Sequence, residues 1–253
     1  MGTFPMDFKR RIRRIIKFGP WSYRFWRNVI RKPYEWAFPT PPISDDLLGE
    51  FPEAAELRGN FAAFRAEALE ISTGHKLPIN HEIMPEQRHF FEHDRIPWQM
   101  VPLRAYGFDY PENLARMPLM ADFLRRNPHV VSATISVFPG GKHLRPHKGP
   151  FKGVWRYHLA YLVQDLGEGR TSAELTIDGR QVFLREGDDL LWDDTYMHEA
   201  RNRSDSPRIV LLLDVMRKDH PWYLAPVSKF VMWITGVMQS WRGTRKKAAL
   251  GAK

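Results

Sequence analysis

Two histidines, His147 and His198, stand beside predicted strands at positions suited to metal binding. His147 follows a strand and a Gly140–Gly141 turn, and His198 stands at the start of a later strand. The chain contains ten His and no Cys, so a metal would be held by imidazole nitrogens and oxygen ligands. Two imidazoles at the mouth of one small barrel bind a metal on adjacent sides and leave its other positions open. Taken alone, a pair of strand histidines is weak evidence for such a centre.

A cation opens an apolar strand shortly after the second histidine. Arg208 precedes five consecutive apolar residues, and a guanidinium there meets a polar partner or suffers a desolvation penalty. Beside an open metal site it is suited to hold the far carboxylate of a dicarboxylate co-substrate. Arg156 and His158 stand two residues apart and so share one face of a strand, and Ser136 on an earlier strand adds a hydroxyl. The alternatives are a rim salt bridge for Arg156, a satisfied core histidine for His158 and a space-filling role for Ser136.

Short strands separated by turns containing Gly or Asp dominate the chain from residue 130 onward. We predict strands over 131–138, 154–164, 173–177, 181–184, 189–192, 196–200 and 207–216. Helical periodicity predicts one helix over 53–70 and a shorter one near 118–126, whereas the rest of 71–130 has no regular pattern. The sequence therefore predicts a mainly β fold with flanking helices, its strands forming an antiparallel sandwich or barrel.

Two segments resemble the paired signatures of a known family. They read HLRPHKGPFKGVWRYH, from His143 to His158, and WDDTYMHEARNRSDSPRIVLLLDV, from Trp192 to Val215. On these segments the chain resembles the aspartyl/asparaginyl β-hydroxylase family of iron(II)- and 2-oxoglutarate-dependent oxygenases, over roughly residues 130–218. Both His motifs, the spaced Arg and the intervening strands occur in the family's order.

The resemblance implies a fold, a set of cofactors and an activity. The fold is a double-stranded β-helix, a jelly-roll of the cupin type. The cofactors are Fe(II) and 2-oxoglutarate with dioxygen as co-substrate, and the activity is hydroxylation of an unactivated C–H bond. The implied site residues are the metal ligands His147 and His198 and the 2-oxoglutarate-binding residues Ser136, Arg156, His158 and Arg208.

The position two residues after the first histidine departs from the commonest pattern of these oxygenases. Most of them supply a carboxylate ligand there, whereas this chain has Gly149, as the β-hydroxylase family does. We therefore expect water to fill the third position on the metal. Asp193 and Asp194 precede His198 by five and four residues. We interpret them as residues that orient the ligands or shape the turn, with Asp193 as a ligand the alternative.

Basic residues are concentrated at both ends of the chain. The 38 Lys and Arg against 29 Asp and Glu give a formal charge of +9, and residues 1–33 carry ten of these cations against one acidic residue. We divide the chain into a basic, aromatic, amphipathic arm over 1–45, an oxygenase domain over 46–226 and a basic amphipathic tail over 227–253. Within the arm, 7–18 is predicted to form a helix with one apolar and one basic side.

Both terminal segments combine aromatic rings with cations, as proteins at a bilayer interface do. No stretch is long and apolar enough to span a bilayer, and the N-terminus lacks the features of a signal peptide. We expect a cytoplasmic protein, peripheral on the inner face of the membrane and bound to anionic lipid. The alternative is that both segments pack on the domain as ordinary helices. No nucleic-acid readout motif accompanies the charge, so no nucleic-acid partner is expected, and no obligate protein partner is inferred.

The substrate is inferred from the family's two branches. One branch hydroxylates Asp and Asn side chains of proteins, and a bacterial branch hydroxylates acyl chains of membrane lipids, including lipid A and ornithine lipids. The basic aromatic ends and the segment around the first histidine resemble the lipid branch. The alternatives are hydroxylation of Asp or Asn in a protein, or of a small molecule, and a non-catalytic β-barrel that binds metal or peptide. The non-catalytic alternative is disfavoured because all six expected positions are filled.

Overall fold

The computed structural model describes residues 31–84, 87–218 and 221–241, together with residues 248, 251 and 252. The predicted helix over 7–18 lies outside these residues. The helices are α1 (Arg31–Ala37), α2 (Leu47–Glu50), α3 (Ala54–Gly59), α4 (Phe61–Thr73), α5 (Asn80–Ile83), α6 (His89–Asp94), α7 (Pro111–Leu114), α8 (Pro118–Arg126) and α9 (Ala225–Trp241). The strands are β1 (His75–Lys76), β2 (Gln99–Ala105), β3 (Phe108–Asp109), β4 (Val130–Phe138), β5 (His143–His147), β6 (Val154–Leu162), β7 (Asp165–Gly167), β8 (Arg170–Thr171), β9 (Ala173–Ile177), β10 (Arg180–Leu184), β11 (Asp189–Trp192), β12 (His198–Arg201), β13 (Arg208–Met216) and β14 (Gly251–Ala252).

Two antiparallel sheets form the centre of the fold. The larger has the strand order β11-β6-β13-β4-β2-β3, and the smaller has the order β10-β9-β12-β5. Their facing sides share one apolar cluster, to which the larger sheet contributes Phe138, Ala160 and Trp192 and the smaller contributes Leu175 and Ile177. This arrangement is a jelly-roll with flanking helices, and it confirms the predicted fold class.

The larger sheet is buried on both of its faces. Along β6, Trp155, Tyr157 and Leu159 point to a cluster built with α3, α4 and α8, whereas Ala160 points to the smaller sheet. Successive side chains of a strand alternate between faces, so Arg156 and His158 share the inner face with Ala160. The helices therefore cover the outer face of the sheet, and the polar side chains of β6 lie between the two sheets.

The strand β2 was not predicted, because Pro102 interrupts its sequence pattern. It nevertheless pairs with β4 on one side and with β3 on the other. The register shifts between Pro102 and Arg104, so an irregularity accommodates the missing backbone donor within the sheet. The expectation that 71–130 is irregular apart from the helix near 118–126 was therefore wrong over 99–105. Burial of Val101 and Leu103 against the helices outweighs the local signal of the proline.

Two further elements differ from the predicted ones. The predicted helix over 53–70 is two helices, α3 and α4, which are separated at Asn60. The five residues of β5 form a strand that was not predicted from the sequence. They do so because they pair with β12. The predicted helix near 118–126 is confirmed as α8, and the predicted strands from 130 to 216 are confirmed to within a few residues at their ends.

The described parts of the two terminal segments pack against each other and against the domain. Tyr34 of α1 is buried, its hydroxyl lies 2.8 Å from Ser228 Oγ of α9, and its ring packs edge-on against the ring of Phe151. After α1 the chain runs along the edge of the larger sheet, where Ile43 pairs with Trp192. None of the helices in the described part of the chain is long and apolar enough to cross a membrane.

Candidate active site and metal centre

The two candidate metal ligands lie side by side on the smaller sheet. His147 ends β5 and His198 begins β12, and the two are paired in register across these antiparallel strands. Their imidazole ring centroids are 4.1 Å apart. The 50 residues between them in sequence are spanned by hairpins of the jelly-roll, so sheet pairing brings them together. The expectation that both histidines fall at strand ends of one sheet is confirmed.

Backbone contacts fix the orientation of both rings. Nδ1 of His147 lies 2.8 Å from the carbonyl oxygen of Arg145, and Nδ1 of His198 lies 2.9 Å from that of Tyr196. A carbonyl oxygen only accepts, so each Nδ1 carries the hydrogen and each Nε2 carries the lone pair that a metal needs. Burial and the neighbouring His147 ring lower the pKa of His198 well below its ordinary value, which keeps that ring neutral. The pair therefore fits a divalent metal such as Fe(II).

The space beside Gly149 is filled by a carboxylate from another part of the chain. A Cβ atom built on Gly149 would lie 2.1 Å from Asp194 Oδ1, and the Gly149 amide donates to the Asp194 carbonyl oxygen at 2.6 Å. Asp194 is buried, and this burial raises the pKa of its carboxyl group to about 6. Glycine is therefore required here by space.

Gly149→Ala is expected to lower the free energy of unfolding by about 1–3 kcal/mol, the usual cost of overpacking. The added methyl must displace the Asp194 carboxylate, which Arg156 holds by an ion pair. Urea unfolding of the metal-free protein measures the change. Gly59→Ala is the matched control, because nothing lies within 4 Å of a Cβ built there. Equal stabilities of the two variants would contradict the argument.

Among the described residues, no group of three or more His, Asp and Glu side chains is placed to hold a metal ion. The Asp193 carboxylate accepts from Lys152 Nζ at 2.5 Å and from Arg217 Nη2 at 2.9 Å. It also accepts from Thr40 and Thr195. Asp193 therefore anchors the turn before His198, and its use as a metal ligand is not favoured.

Register orders the polar residues along the inner face of the larger sheet. Arg208 stands at one end of β13, next to Phe138. Leu212 pairs with His158, and Asp214 pairs with Arg156. Six residues of a strand span about 20 Å, so the cations Arg208 and Arg156 lie far apart on this face. The histidines lie between these two ends, since Asp194 contacts both Gly149 and Arg156, and Arg156, Arg208 and His198 are all close enough to His158 to affect its charge.

Arg208 is a buried cation, only 7 % exposed. Within the described part of the chain its guanidinium makes no ion pair, and its Nε has no hydrogen-bond partner. Its Nη1 reaches the carbonyl oxygen of Glu174 at 3.5 Å, and its Cζ lies 4.4 Å above the ring of Phe138. Burial lowers the pKa of Arg208 to about 10, a value at which the group still carries its charge at neutral pH. Such a cation is suited to an anionic ligand.

Arg156 is already neutralised by two carboxylates. Its guanidinium lies 2.9 Å from Asp194 and 2.9 Å from Asp214. Although burial opposes the charged form, these carboxylates raise the pKa of Arg156. The salt bridge that the sequence offered as the alternative role of Arg156 is therefore present, but it lies inside the candidate site and not at its rim. Contact of Arg156 with 2-oxoglutarate stays a prediction.

The remaining two predicted site residues line the inner face between these cations. Ser136 is buried, and its Oγ accepts a hydrogen bond from Trp98 Nε1 at 2.9 Å. His158 packs edge-on to Trp192 at 5.4 Å, and Trp192 in turn packs edge-on to His198 at 4.7 Å. The indole nitrogen of Trp192 is buried and has no hydrogen-bond partner among the described residues. Among the described residues, the inner face therefore holds two buried donors without an acceptor, Arg208 Nε and Trp192 Nε1.

His158 is expected to make the stability of the metal-free protein fall at acid pH. Burial lowers the pKa of His158 well below its ordinary value, so below about pH 6.5 the unfolded chain takes up a proton that the folded chain excludes. The contribution of neutral His158 to the free energy of unfolding is fully present above pH 6.5. It is lost as the pH falls, at up to about 1.4 kcal/mol per pH unit. The stability gap between the native chain and His158→Gln should therefore shrink as the pH falls from 7 to 5. Urea unfolding at three pH values measures this gap, and a constant gap would refute the assignment.

Two contributors to the site were not predicted from the sequence. Asp214 stands six residues after Arg208, so strand alternation alone places both on one face of β13. Trp98 carries no such signal, because it lies in the segment whose pattern is irregular. Its contact with Ser136 depends on the pairing of β2 with β4.

Among solved structures, partial likeness to cupin proteins is found. A predicted oxalate decarboxylase from Thermotoga maritima has a TM-score of 0.32 and 14% identity, over 48% of this chain and 82% of that one. A cupin domain of a transcriptional regulator from Enterobacter cloacae has a TM-score of 0.28 and 16% identity, over 34% of this chain and 82% of that one. Both likenesses are confined to half of this chain or less.

Sequence comparison extends over much more of the chain. An ornithine lipid ester-linked acyl 2-hydroxylase from Rhizobium tropici is 30% identical over 233 residues, which cover 92% of this chain and 77% of that protein. The profile of the aspartyl/asparaginyl β-hydroxylase family matches residues 58–218. This match includes both histidines and every strand of the two sheets. The chain therefore belongs to the aspartyl/asparaginyl β-hydroxylase family.

Proposed function

We propose that this protein is an Fe(II)- and 2-oxoglutarate-dependent dioxygenase that hydroxylates the ester-linked acyl chain of a membrane lipid of the ornithine-lipid type. The observation that carries the proposal is the buried guanidinium of Arg208, which makes no ion pair among the described residues. It lies on the sheet face that leads to the His147–His198 pair. A buried cation and an open metal centre on one surface suit a dicarboxylate that contacts both.

Each of the predicted site residues has a defined part in this proposal. His147 and His198 hold Fe(II) through Nε2, because their Nδ1 atoms are engaged by backbone carbonyls. Arg208 binds the far carboxylate of 2-oxoglutarate, with the hydroxyl of Ser136 and the neutral His158 on the same face. Arg156 holds the Asp194 carboxylate beside Gly149.

When bound, the metal with 2-oxoglutarate and dioxygen supplies the oxidising power for the C–H bond. One oxygen atom ends in the product hydroxyl and the other in succinate, with release of carbon dioxide. The protein contributes binding, orientation and exclusion of water. The apolar cluster of Phe138, Ala160 and Trp192 between the sheets keeps the site dry.

The lipid substrate is supported by the relative from Rhizobium tropici and by the surface of the chain. That relative is named for hydroxylation of the ester-linked acyl chain of ornithine lipid. Trp222, Phe230 and Trp233 are more than half exposed around α9, and Lys229 is exposed beside them. Indole rings and cations together favour the headgroup region of an anionic bilayer. We therefore propose a peripheral location on the membrane, with the basic segment over 1–33 contributing to binding.

The proposal is tested with the purified full chain and vesicles that contain ornithine lipid. We expect one oxygen atom to be added to the ester-linked acyl chain, seen by mass spectrometry only when Fe(II), 2-oxoglutarate and dioxygen are all present. Flotation with anionic vesicles tests the membrane location. Hydroxylation of an Asp- or Asn-containing peptide in place of any lipid would favour the protein-modifying alternative.

Arg208→Ala is expected to raise the concentration of 2-oxoglutarate needed for half-maximal turnover by at least about tenfold, since a charged hydrogen bond contributes about 1.5–3 kcal/mol. Arg208→Lys should recover part of the loss, because the charge remains while the two-pronged geometry is lost. Steady-state succinate formation measures both variants. Arg170→Ala removes an exposed arginine paired with Glu168 and serves as the control. An unchanged dependence on 2-oxoglutarate in Arg208→Ala would overturn the role of Arg208.

A further inference from the structure

A pocket opens at the end of the larger sheet where α9 crosses it. Its sides are mainly apolar, and its inner end is formed by charged residues. The apolar and aromatic lining residues are Tyr106, Val131, Pro150, Phe151, Val154 and Met232. The charged residues are Arg156, Asp194 and Asp214. The pocket therefore leads from the underside of a surface helix to the ion pairs of the candidate active site.

The inner end of this pocket adjoins the metal centre on the side away from Arg208. Asp194, which lines the pocket, fills the space beside Gly149, two residues after His147. Arg208 stands at the opposite end of β13 from Asp214, about 20 Å along the strand. The co-substrate and the pocket thus lie on opposite sides of the two histidines, and the pocket remains available to the group that is hydroxylated.

The pocket is narrow. Its volume is about 30 Å³, room for only a few atoms at most. Its outer wall is Met232, an unbranched side chain that adapts its shape readily. An alkyl chain needs Met232 and Phe151 to move apart, and movement of α9 would separate them, because Met232 belongs to that helix.

The helix that closes the pocket has two apolar faces. Val231 and Met232 face the domain together with the preceding Leu224, and all three are buried. Phe230 and Trp233 point outward and are 56% and 58% exposed. The outer face continues into the turn before the helix, where Trp222 is 85% exposed and Tyr223 is 51% exposed. A surface helix packed on one side usually exposes polar residues on its other side, so the exposed aromatic face of α9 indicates an interaction surface.

We propose that α9 is both the membrane-contacting surface and the outer wall of the acyl-chain pocket, which rests on the proposed lipid hydroxylase function. The occupant is the acyl chain of a bilayer lipid. It passes from the membrane between Met232 and Phe151 to the histidine pair. Two observations select this occupant: the pocket is continuous with the candidate active site, and the exposed aromatic face carries the cation Lys229 but no acidic residue. The helix α9 thereby connects the membrane, which supplies the substrate, with the candidate active site.

Photo-crosslinking tests the path without turnover. The full chain is mixed with phosphatidylglycerol vesicles that contain a few mole per cent of a lipid carrying a diazirine on its acyl chain. Irradiation should place crosslinks on the peptides that contain Phe151 and Met232, as mapped by mass spectrometry. Crosslinks confined to other parts of the chain would overturn the proposal. Because no catalysis is needed, this result is independent of whether the protein hydroxylates lipid.

Variants of the two faces of α9 test the same path by turnover. Met232→Trp is expected to lower hydroxylation of a long-chain lipid by at least about tenfold, because excess bulk in an apolar pocket has effects of this size. Met232→Ala, which enlarges the pocket, should shift the preference of the enzyme toward a bulkier, methyl-branched acyl chain. Leu119→Trp places the same bulk at an exposed residue on α8 and is the control.

The outward face is altered separately by Phe230→Ser with Trp233→Ser. This pair of changes is expected to reduce flotation with the vesicles and to lower turnover more with vesicles than with a dispersed short-chain lipid. Native turnover in both Met232 variants would overturn the pocket, and unchanged flotation of the double variant would overturn the membrane face. Failure of the native chain to hydroxylate any lipid would instead count against the proposed function, so the two failures are distinguishable.

Discussion

His198→Ala is expected to abolish formation of succinate and of hydroxylated lipid. Loss of an outer contact to a metal ligand typically costs about 10- to 100-fold in metal affinity or activity, and loss of one of two protein ligands exceeds this. The paired ring of His147 alone, held on β5, offers one nitrogen to the metal. Iron retained after desalting, measured by atomic absorption, and succinate formation together check the prediction.

The matched control is His143→Ala, at the other end of the same pair of strands, where His143 pairs with Arg201. Nε2 of His143 lies 2.7 Å from Glu199, and its side chain is partly exposed. This variant should bind iron and turn over within about threefold of the native chain, since surface pairs contribute little. Succinate formation by His198→Ala at the native rate would refute the metal assignment, whatever the substrate proves to be.

Asp193→Ala is expected to lower the free energy of unfolding by about 3–5 kcal/mol, the usual effect of removing one partner from a buried ionic cluster. Asp193 is fully buried, and Lys152 and Arg217, which share its carboxylate, are each 2% exposed. Arg217 is also packed against the face of Trp155, at 3.4 Å from Cζ to the ring centroid. The variant leaves two buried cations without their common carboxylate. Urea unfolding at neutral pH measures the loss.

Asp122→Ala provides the comparison for this effect. Asp122 pairs with Arg125 and Arg126 on the exposed side of α8, where an ion pair contributes about 0–1 kcal/mol. A loss in Asp193→Ala no larger than that in Asp122→Ala would show that the buried cluster does not stabilise the fold.

The cluster around Asp193 also links three separate parts of the chain. Thr40 and Phe38 of the segment after α1 contact Asp193 and Arg217. Thr195 contacts Asp193 from the turn that leads to His198. Asp193 is therefore expected to position His198, the second proposed metal ligand, through the turn, in addition to stabilising the fold. Weaker iron retention by Asp193→Asn, at a temperature where that variant is folded, would agree with this.

The sequence alone determined the features that depend on local pattern. Alternation of apolar residues defined the strands from 130 to 216, and the apolar run after Arg208 marked a buried cation. The location of Arg156 and His158 on one face of their strand followed from the two-residue period of a strand. These inferences held because adjacent side chains in a strand have fixed relative directions, whatever the rest of the fold does.

Contacts between distant segments were decided only by the tertiary structure. The Asp194 carboxylate fills the space beside Gly149, which lies 45 positions earlier in the chain. Asp194 and Asp214 both form ion pairs with the guanidinium of Arg156. The strand β2 forms in spite of Pro102 because its neighbours supply partners and an apolar surface. In the C-terminal helix, the sequence indicated a basic amphipathic segment, but only packing placed Met232 on the inside and Trp233 at the surface. Such choices depend on which surfaces meet, and a local pattern carries no record of them.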